Sequence, residues 1–303
     1  MILFLPFLML SAVMAFAEPK AIPEADTTLE IINIDEISEP KALLWSVSGN
    51  GLTAPSYIYG TIHLICPDDF KISATLKEKI KEAKEIYLEM DMTDPSMVMK
   101  MAGLSIMKEH SLKDLLSETD YRILSKYVTD SIGLPMMLFN NMKPLLLMSA
   151  LYTKVVPCSN PKSYEQAFMQ MAKEQHKEVK GLETIEDQMS VFDKIPDSAE
   201  AQMLVEMITT MPKQRAEFAK MVEDYKKQDI NALQEKLSES PEWKGFEDEL
   251  LVNRNKNWIP IMKAAMVHGT QFFAVGAGHL PGKAGIIQLF KEAGYRVEPV
   301  EKQ

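Results

Sequence analysis

The sequence predicts an α/β (α+β) protein with a central mixed sheet and a large helical insertion. Three observations carry that expectation. Short apolar runs ending in glycine turns stand near both ends of the 303-residue chain. Strand, helix and strand then follow in order over residues 57–91, which asks for a crossover and a partly parallel sheet. Between the two ends, residues of about 95–175 and 190–266 have helical rather than alternating spacing. The length suffices for one large core or two lobes. Hydrophobic residues make up 46% and charged residues 25%, as in ordinary globular chains.

Residues 1–17 (MILFLPFLMLSAVMAFA) carry no charge and end in the small-x-small triplet Ala15-Phe16-Ala17. The stretch is short for a membrane span, so it reads as a secretory signal peptide cut after Ala17. No Lys or Arg precedes it, which leaves an uncleaved anchor as the alternative. No cysteine stands directly after it, which argues against a lipoprotein. The reading is an exported protein, periplasmic or secreted, with no transmembrane domain after cleavage. Residues 18–40, rich in Pro, Glu, Asp and Ile, form a flexible leader.

From there the elements run in order. Residues 43–48 alternate as a strand, and Asn50-Gly51 is a hairpin signal. Tyr57-Ile58-Tyr59-Gly60 is the returning strand, which delivers His63. Residues 71–83 have helical spacing through Ile72, Leu76 and Ile80, and 85–91 form a buried strand ending in acids. Residues 95–155 are helical and rich in methionine, with a helix start at Ser117 and Asp120. Thioether side chains adapt to irregular partners, so these helices offer a groove for a hydrophobic or peptide partner; a plain helical core is the simpler reading. A helix over 163–177, a strand over 178–182 and a loop over 183–188 follow. Residues 197–238 are helical with a break at Gln228-Asp229, and 243–266 form a long helix carrying Arg254 and Trp258. The chain closes with a strand (271–275), a glycine-rich turn (276–282), a helix (283–293) and a strand (295–300).

Two of the turns match. Gly60-Thr61-Ile62-His63 and Gly276-Ala277-Gly278-His279 both read strand, turn, histidine, at opposite ends of the chain. Sites in α/β proteins form at the carboxyl ends of strands, where His63, Glu89 with Asp91, Glu183 with Glu186, and His279 all fall. Two imidazoles with a carboxylate suit a divalent transition metal; Mn, Co and Zn are not distinguished by such donors. A metal held by His63, His279 and Glu89 would make a nucleophile of water at neutral pH. Glu183 or Glu186 would serve as general base, and Arg254 would hold a substrate carboxylate or an oxyanion. Each residue also has a plainer structural use: a turn histidine, a capping acid, a salt-bridge arginine. Cys66 and Cys158 are the only cysteines. Export would let them pair, at about 4–5 kcal/mol in the chain-entropy model; two separate buried thiols are the alternative. The net charge of −10 and the lack of a basic cluster speak against nucleic acid. The glycines are too sparse for a dinucleotide fingerprint.

The chain resembles the TraB/GumN (PrgY) family, related to the Tiki metalloproteases. The resemblance rests on Tyr59-Gly60-Thr61-Ile62-His63, Tyr87-Leu88-Glu89-Met90-Asp91, Gly181-Leu182-Glu183-Thr184, Arg254-Asn255 with Trp258, and Val275-Gly276-Ala277-Gly278-His279-Leu280 with Gly282. These occur in the family's order over about residues 43–300. The resemblance implies one domain over 41–303, with a core of two pseudo-equivalent halves and the helical insertion between them. It also implies metal-dependent peptide cleavage centred on His63, His279 and Glu89, with Glu183 and Arg254 lining the site. The family's Gly-hydrophobic-Asp ahead of the middle helix is here Lys162-Ser163-Tyr164-Glu165, a departure that leaves this turn without an expected role. The expected function is therefore an exported metal-dependent hydrolase acting on peptides or proteins. The alternatives are a non-catalytic periplasmic protein capturing a peptide signal or haem, and an inactive member whose site only holds the two halves together.

Overall fold

The computed structural model describes residues 38–238 and 248–300. The expected signal peptide, most of the leader and the expected helix start at Trp243 lie outside the described residues.

The expected mixed α/β architecture is present. Strands β1 (Leu44–Ser48), β2 (Ser56–Thr61), β3 (Ile86–Met90), β4 (Val179–Glu183), β5 (Phe272–Gly276) and β6 (Arg296–Pro299) form one sheet in the order β4-β3-β5-β2-β1-β6. The pairs β2–β5, β5–β3 and β3–β4 are parallel; β1 pairs antiparallel with β2 and with β6. The inner strands are buried on both faces, as parallel strands require, which explains their unbroken apolar runs. The β1–β2 turn places Gly49, Asn50 and Gly51 at positive φ, where glycine and asparagine are tolerated.

Twelve helices are described: α1 (Ala74–Glu82), α2 (Met97–Leu104), α3 (Leu112–Leu115), α4 (Glu118–Ile132), α5 (Pro144–Tyr152), α6 (Tyr164–Glu174), α7 (Ile185–Phe192), α8 (Asp197–Thr209), α9 (Met211–Lys226), α10 (Ile230–Ser238), α11 (Asn253–Met266) and α12 (Ile286–Glu292). Ser117 caps α4 by accepting from the Asp120 amide, as its spacing predicts. The structure differs from the expectation at two points. The expected loop over 183–188 is the start of α7, because Thr184 and Asp187 form a capping box. The expected continuous helix from 197 breaks at Thr210 as well as near Gln228, because Pro212 has no N–H to continue the ladder and instead opens α9. A π-helical turn, Asp248–Val252, leads into α11.

Met107, Met136 and Met148 are buried, whereas Met99 and Met137 are 81% and 79% exposed. The methionine-rich stretch thus serves partly as core and partly as surface. Cys66 and Cys158 form a disulfide across 92 residues, tying the exit of β2 to the approach of α6 beside the Ile65–Lys162 bridge. Among the described residues no helix is long and apolar enough to cross a membrane.

Candidate active site

The sheet registers its parallel strands so that their carboxyl ends coincide. Thr61 pairs with Gly276, and Met90 with Glu183. The two Gly-x-x-His turns therefore leave the sheet side by side. Gly60 makes this possible: a Cβ there would lie 2.8 Å from Leu280 Cδ1 and 3.0 Å from Ala277 Cα. The Tyr225 hydroxyl of α9 donates to the Gly60 carbonyl at 3.0 Å and pins the helix over the turn.

Gly276 marks the meeting point. A Cβ on it would stand 3.3 Å from Glu89 Oε1, 3.6 Å from His279 Cδ2 and 3.8 Å from His63 Nε2. The missing side chain leaves space that two imidazoles and a carboxylate surround. The Gly276 amide donates to Glu89 Oε1 at 2.7 Å. His63, Glu89, Gly276 and His279 form the polar floor of a cavity of about 70 Å³. Its walls are apolar: Tyr152, Phe218, Met221, Leu233, Leu237 and Leu251.

Each imidazole is held through Nδ1. His279 Nδ1 lies 2.7 Å from Asn255 Oδ1. The Asn255 amide is itself oriented, because Nδ2 donates to the carbonyls of His279 and Ala284. Nδ1 therefore carries the proton. His63 Nδ1 lies 3.0 Å from Glu165 Oε1, and Thr61 Oγ1 and Ser163 Oγ donate to the two oxygens of that carboxylate. Holding one ring nitrogen on an oxygen fixes the tautomer and aims the other.

Arg254 ties the acids together. Its Nε and Nη2 grip Glu183 at 3.0 and 2.6 Å, and Nη2 also donates to Glu89 Oε2 at 2.7 Å. Its Nη1 donates to the Leu250 carbonyl and to His279 Nε2, each at 3.2 Å. The guanidinium stacks 4.7 Å from the Trp258 ring, whose Nε1 donates to Glu183 Oε2 at 3.1 Å.

These environments separate the titrations. Burial would raise Glu89, but Arg254, the two histidines and the Gly276 amide hold it down at about 2. Burial, reinforced by the positive charge of Arg254, lowers His279 to about 3 and keeps it neutral. Burial would also lower His63, but the neighbouring Glu165 carboxylate outweighs it and raises the imidazole. Glu165 is lowered against burial by His63 and its two hydroxyl donors. Burial raises Glu183 even against Arg254.

The structure brings together His63, His279, Glu89, Glu183 and Arg254. It does not bring Glu186, which lies in the first turn of α7, rotated outward to pair with Lys100 at 3.3 Å with 48% of its side chain exposed. A base there would not reach the cavity. Asp91 likewise turns aside, accepting from the amide and hydroxyl of Thr93. The base role expected of Glu183 also conflicts with its contacts, since both oxygens accept from Arg254 and Trp258. Arg254 for its part spends Nε, Nη1 and Nη2 on protein groups. Sequence reasoning left out Glu165, whose turn carried no expected role, and gave Asn255 none; their signal was a polar side chain beside a motif, which spacing alone does not single out.

Among the described residues no group of three or more His, Cys, Asp or Glu side chains stands ready to hold a metal ion. The donors surround one point without closing on it.

The TraB/PrgY/gumN family model matches residues 43–299. The chain is 22% identical to "Metalloprotease TIKI1" of Danio rerio, over 86% of this chain and 63% of that protein, so it spans less than two thirds of that relative. It is 24% identical to "Uncharacterized protein YbaP" of Shigella flexneri and, equally, of Escherichia coli (strain K12), over 85% of this chain and the full length of each. No solved structure matches.

Proposed function

The chain belongs to the TraB/PrgY/gumN family, and from that premise we propose that it is an exported metal-dependent hydrolase that cleaves peptides or proteins. One observation carries the proposal: His63, Glu89 and His279 converge about the bare Cα of Gly276, with both imidazoles fixed through Nδ1 on oxygen acceptors. The distant likeness to a metalloprotease supports the same reading.

The donor set fits a divalent transition metal in kind. Two imidazoles and a carboxylate suit Mn, Co or Zn, and the Nδ1 partners are those that metal-bound histidines use. The neutral His279 and the ionised Glu89 are in the protonation states such binding needs. His63, His279 and Glu89 are the residues that would hold it. A bound ion would supply Lewis acidity, polarising a carbonyl and easing loss of a proton from water.

The chain's own groups supply the rest. Glu165 keeps His63 oriented, and Asn255 keeps His279 in one tautomer. Glu183 and the Trp258 ring hold Arg254 in place. The apolar walls exclude water and suit a substrate that presents hydrocarbon beside the bond to be broken. Export is supported by residues 1–17 and by the Cys66–Cys158 pair, which belongs in an oxidising compartment.

A second reading rests on the His63–Glu165 pair alone. A histidine raised by a buried carboxylate is a general base for water without any ion. One experiment separates the two. Purified protein is assayed against a peptide library with Mn or Co and with chelator. Cleavage that needs the ion, and that His63→Ala or His279→Ala abolishes without loss of fold, supports the metal-dependent reading. Cleavage that survives chelation selects the second reading, and no cleavage in any arm removes both.

A further inference from the structure

We propose that Arg254 is the site's resident cation: it holds the His279 nitrogen that a divalent ion needs, and ion binding displaces that contact. This rests on the metal reading above and adds the group that competes with the ion.

The argument begins at Asn255. Its Nδ2 donates to the His279 and Ala284 carbonyls at 3.2 and 2.9 Å, which turns Oδ1 toward His279 Nδ1. The proton of the ring is therefore on Nδ1, and Nε2 offers a lone pair. That lone pair is met at 3.2 Å by Arg254 Nη1. The same guanidinium donates to Glu89 Oε2 at 2.7 Å. Two of the three groups assigned to the ion thus already serve one cation. This explains why the donors surround Gly276 without forming a cage.

The arginine is aimed, not adventitious. Its side chain is 4% exposed, and Nη1 also donates to the Leu250 carbonyl in the π-helical turn that precedes α11. Glu183 grips the other edge at two points, and Trp258 backs its face. A divalent ion entering at His279 Nε2 would face a like charge within a few ångströms, in surroundings of low dielectric. The ion binds only if Nη1 withdraws from His279; the contacts to Glu183 lie on the far edge and need not break.

Removing the arginine has two opposite effects that are measured separately. Glu89 and Glu183 lose their buried counter-charge, which destabilises the metal-free fold. The site gains net negative charge and an open nitrogen, which strengthens ion binding. Arg254→Met is made in the full chain and stripped of metal. Binding of Mn(II) and Co(II) is followed by calorimetry, and melting is followed with and without the ion. We expect about tenfold or tighter binding than wild type, a lower melting temperature without ion, and a larger rise on adding it. An arginine of purely structural use would give the fall in melting temperature with no extra ion-dependent recovery. Arg254→Lys, which keeps one charge but cannot span Glu89, Glu183 and His279 together, is the second variant if Arg254→Met does not fold; it too is expected to bind more tightly than wild type. Equal or weaker binding in the variant that folds overturns the inference and leaves the hydrolase reading standing. Absence of ion binding in both wild type and variant overturns the inference and the metal reading together, while turnover under chelation still tests the hydrolase.

Discussion

Glu165 shows how one side chain can set the behaviour of another that is distant in sequence. Its carboxylate sits 3.0 Å from His63 Nδ1 across 102 residues, and two hydroxyls hold it still. Glu165→Ala is expected to cost about 10–100-fold in ion affinity or turnover, and Glu165→Asp to recover part of it. A kinetic comparison beside melting curves checks this; unchanged turnover in the alanine variant would contradict the role. The histidines and Glu89 were legible because motif and spacing put each at a strand end. Glu165 was not, because nothing in Lys162-Ser163-Tyr164-Glu165 tells which strand end the turn will face. Glu183 and Glu186 illustrate the same limit. Glu183 ends β4 and Glu186 lies just beyond it, but only the register of β4 and the rotation of the first turn of α7 send one inward and the other to Lys100.

At the scale of elements, the helical insertion carries a cost that can be removed. Glu200 of α8 is 2% exposed and accepts from the Leu145 amide at the start of α5. Burial raises it to about 8, with Asp197 and Asp193 adding to the rise, while the Leu145 amide and Lys143 oppose it. The folded state therefore keeps a proton that the unfolded chain has released between the ordinary 4.5 and about 8. Stability is lost as pH rises through that window. Glu200→Gln should melt higher than wild type above about pH 8 and near wild type around pH 5; the reverse order in a calorimetric series would refute the assignment. Helix positions were readable from periodicity, and α4 from its Ser117 cap. The break at Thr210 and the start of α7 were not, because each hangs on a local competition: Pro212 against the ladder, and Thr184 with Asp187 against a loop. The break near Gln228 was legible, and it lets α10 turn back so that Leu233 and Leu237 line the cavity.

At the scale of the whole molecule, a partly parallel sheet followed from strand–helix–strand succession and the β1–β2 hairpin from Asn50-Gly51, whereas the order of the strands and the place of β6 beside β1 required the fold itself. Two measurements probe how the parts are joined. Cys66–Cys158 closes 92 residues, and its reduction or Cys66→Ser should lower stability by up to about 4–5 kcal/mol on the chain-entropy account, read as a shift in denaturant midpoint. Acid should also loosen the metal-free protein. His279 is lowered from 6.5 to about 3, so the unfolded chain takes up a proton that the folded one refuses, and stability falls as pH drops below 6.5. Glu89, lowered from 4.5 to about 2, adds its loss as pH falls through that range. His63 is raised and acts oppositely, contributing below 6.5 and losing that contribution as pH rises through its folded value. His279→Gln should therefore flatten the fall in melting temperature between about pH 6.5 and pH 4. A slope unchanged from wild type would contradict it. The most direct test of the shared site is titration of the metal-free full chain with Co(II), followed by visible absorption. The account predicts one equivalent bound in wild type, with the bands lost in His63→Ala and again in His279→Ala. Undiminished bands in either variant, or none in wild type, would contradict it.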